Sequence, residues 1–172
     1  LFPLSCTTDL IVPYSPITDK RAGDSGLTVG EICEAAMTLS DNTAANLLLD
    51  SFGGPRGLTA YLRSLGDDVT RLDRREPELN EARPGDPRDT TTPLAILDIV
   101  RKIVHGSVLS VASREQMIAW LVANKTGDRR LRAGIPEGWR VGDKTGSGAN
   151  NATNDIAVVW PPARSPIIVT AY

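Results

Sequence analysis

The chain has 172 residues, 41% apolar and 23% charged, with a formal net charge of −2, the composition of an ordinary globular protein able to bury one core or two small lobes. That balance argues against nucleic acid or an anionic membrane surface as partner, and no apolar run approaches the roughly 20 residues that span a bilayer. With only Cys6, Cys33 and one histidine, His105, neither a zinc cluster, a disulfide scaffold nor a Ser-His-Asp triad is expected.

Leu1 to Asp24 is rich in Pro, Thr and Ser and reads as extended segments and turns. It opens without an initiator methionine, as an interior or processed start would. "LTVGEICEAAMTLS" sets Ile32, Ala36 and Leu39 at helical spacing, with Thr28 as N-cap and Glu31 at the capping-box position. A second helix begins near "SDNTAANLLLDSF" and stops at Gly53-Gly54-Pro55. "PRGLTAYLRSLG" is a third, with Pro55 in its first turn and Gly66 closing it.

Residues 71–89, "RLDRREPELNEARPGDPRD", break the pattern with three prolines, one glycine and a majority of Arg, Asp and Glu. So long a connection without regular structure is usually functional or disordered. Helices resume in "TTTPLAILDIVRKIVHG", where His105 sits at the helix end, and in "SVASREQMIAWLVAN". From Trp139 the period shortens. "WRVGDKTGSG", "NDIAVVWPP" and "SPIIVTAY" read as consecutive antiparallel strands.

Three short strings carry candidate chemistry: Ser40-Asp41-Asn42, Glu76-Pro77-Glu78-Leu79-Asn80 and Lys144-Thr145-Gly146. Singly each is bland: a helix cap, one turn of a solvated loop, a strand end. Together, in this order, they resemble the class A serine β-lactamases, and the likeness extends over "LTVGEICEAAMTLSDNTAANLLL", "TRLDRREPELNEARPGDPRDTTTP" and "GWRVGDKTGSG".

The resemblance implies a role for each residue. Ser40 stands where the family's proton shuttle to the leaving nitrogen lies, and Asn42 where an amide binds the substrate's acylamino side chain. Asp41 is implied to be structural. Glu76 matches the general base for the deacylating water and Asn80 the residue that positions it; side chains four apart on one helical turn share a face. Arg74 and Asp89 resemble the ion pair closing the neck of the 71–89 loop. Lys144 and Thr145 match strand residues beside the substrate carboxylate, and Gly146 allows close approach. Ser147 matches the residue whose backbone N–H forms half of the oxyanion hole. Tyr14 resembles the aromatic at the cleft entrance. Arg130, with Thr126, resembles the carboxylate-binding group of part of the family.

One motif departs. The family's nucleophile reads Phe-Pro-x-x-Ser-Thr-x-Lys, whereas here Phe2 and Pro3 lead to Ser5 one place early and Cys6 in the slot. Where the lysine should stand the chain runs on through Thr8 to Asp9, which by resemblance begins a later segment. The helix carrying that lysine, the N-terminal helix and strands, and the C-terminal helix have no counterpart. A segment is therefore expected to belong between Thr8 and Asp9. Cys33, whose partner in part of the family lies on that helix, is expected to be a buried free thiol.

The expectations are then an α+β fold, an all-α lobe beside an antiparallel sheet with flanking helices. The divisions are 1–8 (approach to the nucleophile), 9–123 (helical lobe with the 71–89 loop) and 124–172 (part of the sheet lobe). The implied reaction is β-lactam hydrolysis through a covalent acyl-enzyme. It needs neither metal nor cofactor, has a small β-lactam as sole partner, and is carried out by a periplasmic or secreted monomer. A penicillin-binding DD-peptidase or transpeptidase is the alternative within the fold, disfavoured by Glu76 and Asn80. A fragment or trapped variant that binds without turnover is the alternative outside it, resting on the missing lysine and Cys6.

Overall fold

The computed structural model describes residues 3–23 and 26–172, so Leu1, Phe2, Asp24 and Ser25, and with them the start of the nucleophile motif, lie outside the described residues. Among the described residues five α-helices precede a three-stranded sheet: α1 (Val29–Leu39), α2 (Asn42–Ser51), α3 (Gly54–Ser64), α4 (Pro93–His105), α5 (Val111–Val122), then β1 (Arg140–Ser147), β2 (Thr153–Trp160) and β3 (Ile167–Ala171). The fold is α+β, as expected.

Local chemistry sets most helix ends. Thr28 Oγ1 accepts the Glu31 N–H at 3.2 Å while a Glu31 carboxylate oxygen accepts the Thr28 N–H at 2.8 Å, the reciprocal capping box. Asp41, Thr92 and Ser110 cap α2, α4 and α5 with side-chain oxygens. α3 has Pro55 in its first turn and Gly66 at φ 80° just past its end. His105 is the exposed last residue of α4. α1 turns sharply into α2 because Ser40 adopts a left-handed φ of 54°.

The sheet is a meander in the order β1-β2-β3, antiparallel throughout, with Asp143 opposite Ala157, Thr145 opposite Asp155 and Gly146 opposite Asn154. Its period-2 alternation sorts side chains onto two covered faces. Val141, Ala157 and Val159 pack with Leu131, Ile135, Trp139 and Ile167 on one. Val158 packs with Val100 and Val104 of α4, Ile118 of α5 and Ile156 on the other. α5 lies on β1 and α4 on β3, so the expected division at 123 separates from the sheet two helices that pack on it. Gly142 makes the approach of α5 possible: a Cβ there would sit 2.9 Å from Leu121 Cβ.

A separate core joins Cys6, Leu27, Ile32, Ala35 and Ala44 beneath α1 and α2. The chain reaches it through a bridge in which Leu4 and Leu27 exchange backbone hydrogen bonds. Thr8–Leu10 form one 3-10 turn. Cys33 is half-buried rather than buried, and burial raises its thiol pKa.

Candidate active site

Between the α1–α2 turn, the 71–89 loop and β1 lies a cleft of about 480 Å³. It collects Tyr14, Ser40, Asn42, Glu76, Asn80, Thr126, Arg130, Lys144, Thr145, Gly146 and Ser147, every sequence-predicted site residue except Ser5 and Cys6.

The α1–α2 turn is anchored from below. Asp41, fully buried, accepts the N–H groups of Ile17 (2.9 Å), Thr18 (3.0 Å) and Ala44 (2.9 Å) and the Thr18 hydroxyl (2.7 Å). Four donors on one carboxylate offset its desolvation. They hold Ser40 and Asn42 on either side of a rigid point. Asn42 donates through Nδ2 to Pro13 O at 2.9 Å and through its N–H to Tyr14 O at 3.0 Å, so Tyr14, 61% exposed, is held at the mouth.

Glu76 is clamped by a residue the sequence reading passed over. Asn46 of α2 accepts the Glu76 N–H at 3.0 Å and donates to Glu76 O at 2.9 Å. The only sequence signal was its place one turn after Asn42 on α2. The turn that follows is 3-10, Glu78–Glu81, and Asn80 Nδ2 on it bonds the Glu76 carboxylate directly. Burial raises the Glu76 pKa, against the lowering effects of the Asn80 bond and the Lys144 charge. Glu78 is exposed.

The loop bearing Glu76 closes on Arg74 and Asp89. Arg74 Nε donates to Asp89 Oδ2 and Nη1 to Glu81 Oε2, each at 2.6 Å, and Asp89 Oδ1 accepts the N–H groups of Asp73 and Arg74 at 2.7 and 2.9 Å. From the other side the hairpin after β1 grips it: Ala149 N–H donates to Asn80 O at 2.8 Å and Asn150 Nδ2 to Glu81 O at 3.0 Å.

On β1, Lys144 Nζ donates to Ser40 Oγ and, at 2.9 Å, to Thr145 O. Burial lowers its pKa, and the Glu76 charge works the other way. Arg130 ties the strand ends, donating from Nη1 to Gly146 O and Asn154 O and from Nη2 to Ser147 Oγ at 2.6 Å. Thr126 and Thr145 share a hydroxyl hydrogen bond of 2.6 Å. Gly146 is crowded, for a Cβ there would lie 2.2 Å from Asn154 Oδ1 across the ladder.

The nucleophile slot does not join them. Cys6 is 1% exposed within the core beneath α1, with Sγ 3.8 Å from Thr18 O, and burial followed by the Asp41 charge raises its pKa. Ser5 is exposed and off the cleft. Adjacent residues of an extended segment point opposite ways, so burying Cys6 turns Ser5 outward. What the cleft holds is the Ser40 hydroxyl beside the Lys144 ammonium, the desolvated Glu76 carboxylate from the 71–89 loop, and Arg130 with the Ser147 hydroxyl. That set can move protons and hold an anion.

Comparison with known proteins agrees with this geometry. The sequence pattern of the Beta-lactamase enzyme family matches residues 3–172. β-Lactamase FAR-1 of Nocardia farcinica is 55% identical over 159 residues, 92% of this chain and 50% of the relative. The carbapenem-hydrolyzing β-lactamase KPC of Klebsiella oxytoca is 49% identical over 171 residues, 99% and 58%. The chain thus spans about half the length of these relatives. Among solved structures, an ancestral (GNCA) class A β-lactamase superposes with a TM-score of 0.96 at 65% identity, over 98% of this chain and 64% of that one. The putative class A β-lactamase PenP from Rhodopseudomonas palustris gives 0.95 at 61%, over 98% and 64%. Agreement this close, in sequence and in backbone along nearly every residue, means that the chain belongs to the β-lactamase enzyme family, among its class A serine members.

Proposed function

We propose that the protein hydrolyses β-lactams through a covalent acyl-enzyme formed on Ser5 or Cys6 once the segment expected between Thr8 and Asp9 brings the nucleophile motif to the cleft, and that the cleft residues handle protons, water and the substrate carboxylate. The observation that carries the reading is the Lys144–Ser40 contact facing Glu76 and Asn80 across one cleft. Glu76, desolvated and backed by Asn80, is the base that draws a proton from the deacylating water. Ser40, fed by Lys144, passes a proton to the nitrogen released when the ring opens; a hydroxyl both donates and accepts. Asn42 holds the acylamino side chain, and Tyr14 borders its entry. The Ser147 N–H supplies one oxyanion donor. Lys144, Arg130, Thr145 and the Ser147 hydroxyl bind the ring carboxylate, Thr126 stands behind Thr145, and Gly146 keeps the strand wall low beside it.

A second reading has its own observation. Ser5 and Cys6 lie off the cleft, which favours a chain that holds β-lactams without turning them over. A chromogenic cephalosporin separates the two. Colour release that persists over many equivalents supports hydrolysis, and Glu76→Gln is then expected to slow it by at least about a hundredfold and to accumulate a mass adduct. Saturable binding with the ring intact supports the binder, and no binding sinks both. The same reading makes the protein a monomer acting outside the cytoplasm, periplasmic or secreted, without nucleic acid as partner. Among the described residues no helix is long and apolar enough to cross a membrane.

A further inference from the structure

At the end of the cleft where Arg130 and Ser147 meet, four side chains form one hydrogen-bonded line from the interior to the cleft wall. Its inner end is Asp143, fully buried and gripped by Arg132, whose Nε donates to Oδ1 at 2.9 Å. A carboxylate held by a guanidinium only accepts. Asp143 Oδ2 therefore takes a donor, Asn124 Nδ2, at 2.7 Å. That bond decides which way round the Asn124 amide stands, and its Oδ1 faces Thr126. Oδ1 accepts the Thr126 N–H at 3.1 Å and the Thr126 hydroxyl at 2.9 Å. Beyond it, Thr126 Oγ1 and Thr145 Oγ1 lie 2.6 Å apart. Asn124 is 3% exposed, whereas Thr126 and Thr145 line the cleft.

A threonine hydroxyl owns one proton. When Thr126 gives its proton to Asn124 Oδ1, its oxygen accepts in the pair with Thr145 and Thr145 donates. The Thr145 proton then points along the wall, and the cleft meets the lone pairs of Thr145. An anion needs that proton. To supply it both hydroxyls turn: the Thr126 proton leaves Asn124 for Thr145, and the Thr145 proton goes to the anion. Asn124 keeps the Thr126 N–H throughout. One neutral hydrogen bond is exchanged for one charge-assisted bond, the stronger kind.

We infer that Thr126, held by Asn124, is a specificity-determining residue that withholds the Thr145 proton from the cleft until an anion draws it out. The pair is a two-hydroxyl switch that lowers carboxylate affinity and leaves Thr145 free to accept from neutral donors. The inference rests on the β-lactam reading only for the identity of the natural anion.

Thr126→Val removes the rival acceptor and is expected to tighten carboxylate binding about threefold, the worth of the neutral bond no longer broken. Thr126→Ser should bind as the parent does. Thr145→Val should weaken binding about tenfold, and adding Thr126→Val to it should change nothing further. A gain separates the switch from a packing role, because damage to the wall only lowers affinity. The first probe is phenylacetate, a carboxylate without a β-lactam ring, followed by the amide resonances of Thr145 and Ser147. The second is a penicillin beside its methyl ester. Weakening by Thr126→Val, equal tightening of the ester, a gain that persists without the Thr145 hydroxyl, or no response to phenylacetate would each overturn the switch. A switch seen with phenylacetate but no penicillin bound would overturn the β-lactam reading and leave the switch standing.

Discussion

Glu76 and Lys144 bring opposite charges into one cleft, and burial pushes each toward its neutral form. For Glu76 the consequence for stability has a definite sign. A carboxyl whose folded pKa is raised folds most easily when protonated. Its penalty is absent below the ordinary carboxylate range and grows as pH rises through the raised value. Glu76→Gln keeps an acceptor toward Asn80, so it is expected to stabilise the chain by about 1 kcal/mol near pH 8 and not at all near pH 3. Urea unfolding at the two pH values checks this, and equal gains at both would assign the effect to packing instead. Cys6 shows where reading by residue stops. Its motif neighbours put it in the nucleophile slot, but its environment is set by Leu27, Ile32, Ala35 and Ala44, which lie more than 20 residues away.

Among the elements, those whose ends are written in adjacent residues were the legible ones. The Thr28–Glu31 box, Pro55, Gly66 and Thr92 each act over three or four residues, and the helices they bound appear where the sequence places them. The 71–89 loop was legible as a loop, and Arg74 and Asp89 as its neck. Its hold on Glu76 was not, because Asn46 and Ala149 reach it from distant elements. Asp89, its side chain 3% exposed, joins both sides of the neck. Asp89→Ala leaves Arg74 Nε and two backbone N–H groups without their acceptor, with Glu81 still on Arg74 Nη1, and is expected to cost about 2–3 kcal/mol. Limited proteolysis should then cut first within 71–89, whereas cutting elsewhere first would show that the neck does not hold the loop.

Across the whole molecule, one buried pair joins parts that the chain separates. Arg132 binds Asp143 of β1 and also donates to the carbonyls of Leu121 and Val122 at the end of α5. It thereby holds strand, helix and the intervening segment together behind the cleft. Arg132→Ala leaves a fully buried carboxylate with Asn124 as its remaining side-chain partner, and is expected to cost about 3–5 kcal/mol. Arg101→Ala, which breaks an exposed pair with Asp98, should cost no more than about 1 kcal/mol. Similar losses in parallel denaturant titrations would refute the distinction. By itself the sequence determined the helices, the strand order, the family and most residues that line the cleft, because caps, periodicity and short motifs act locally. Only the tertiary structure decided that Cys6 is core and Ser5 surface, that Asn46 clamps Glu76, and that Asn124 orders the hydroxyls of Thr126 and Thr145. Those outcomes depend on which buried donors meet which acceptors across the fold, and burial is a property of the packed chain rather than of any stretch of it.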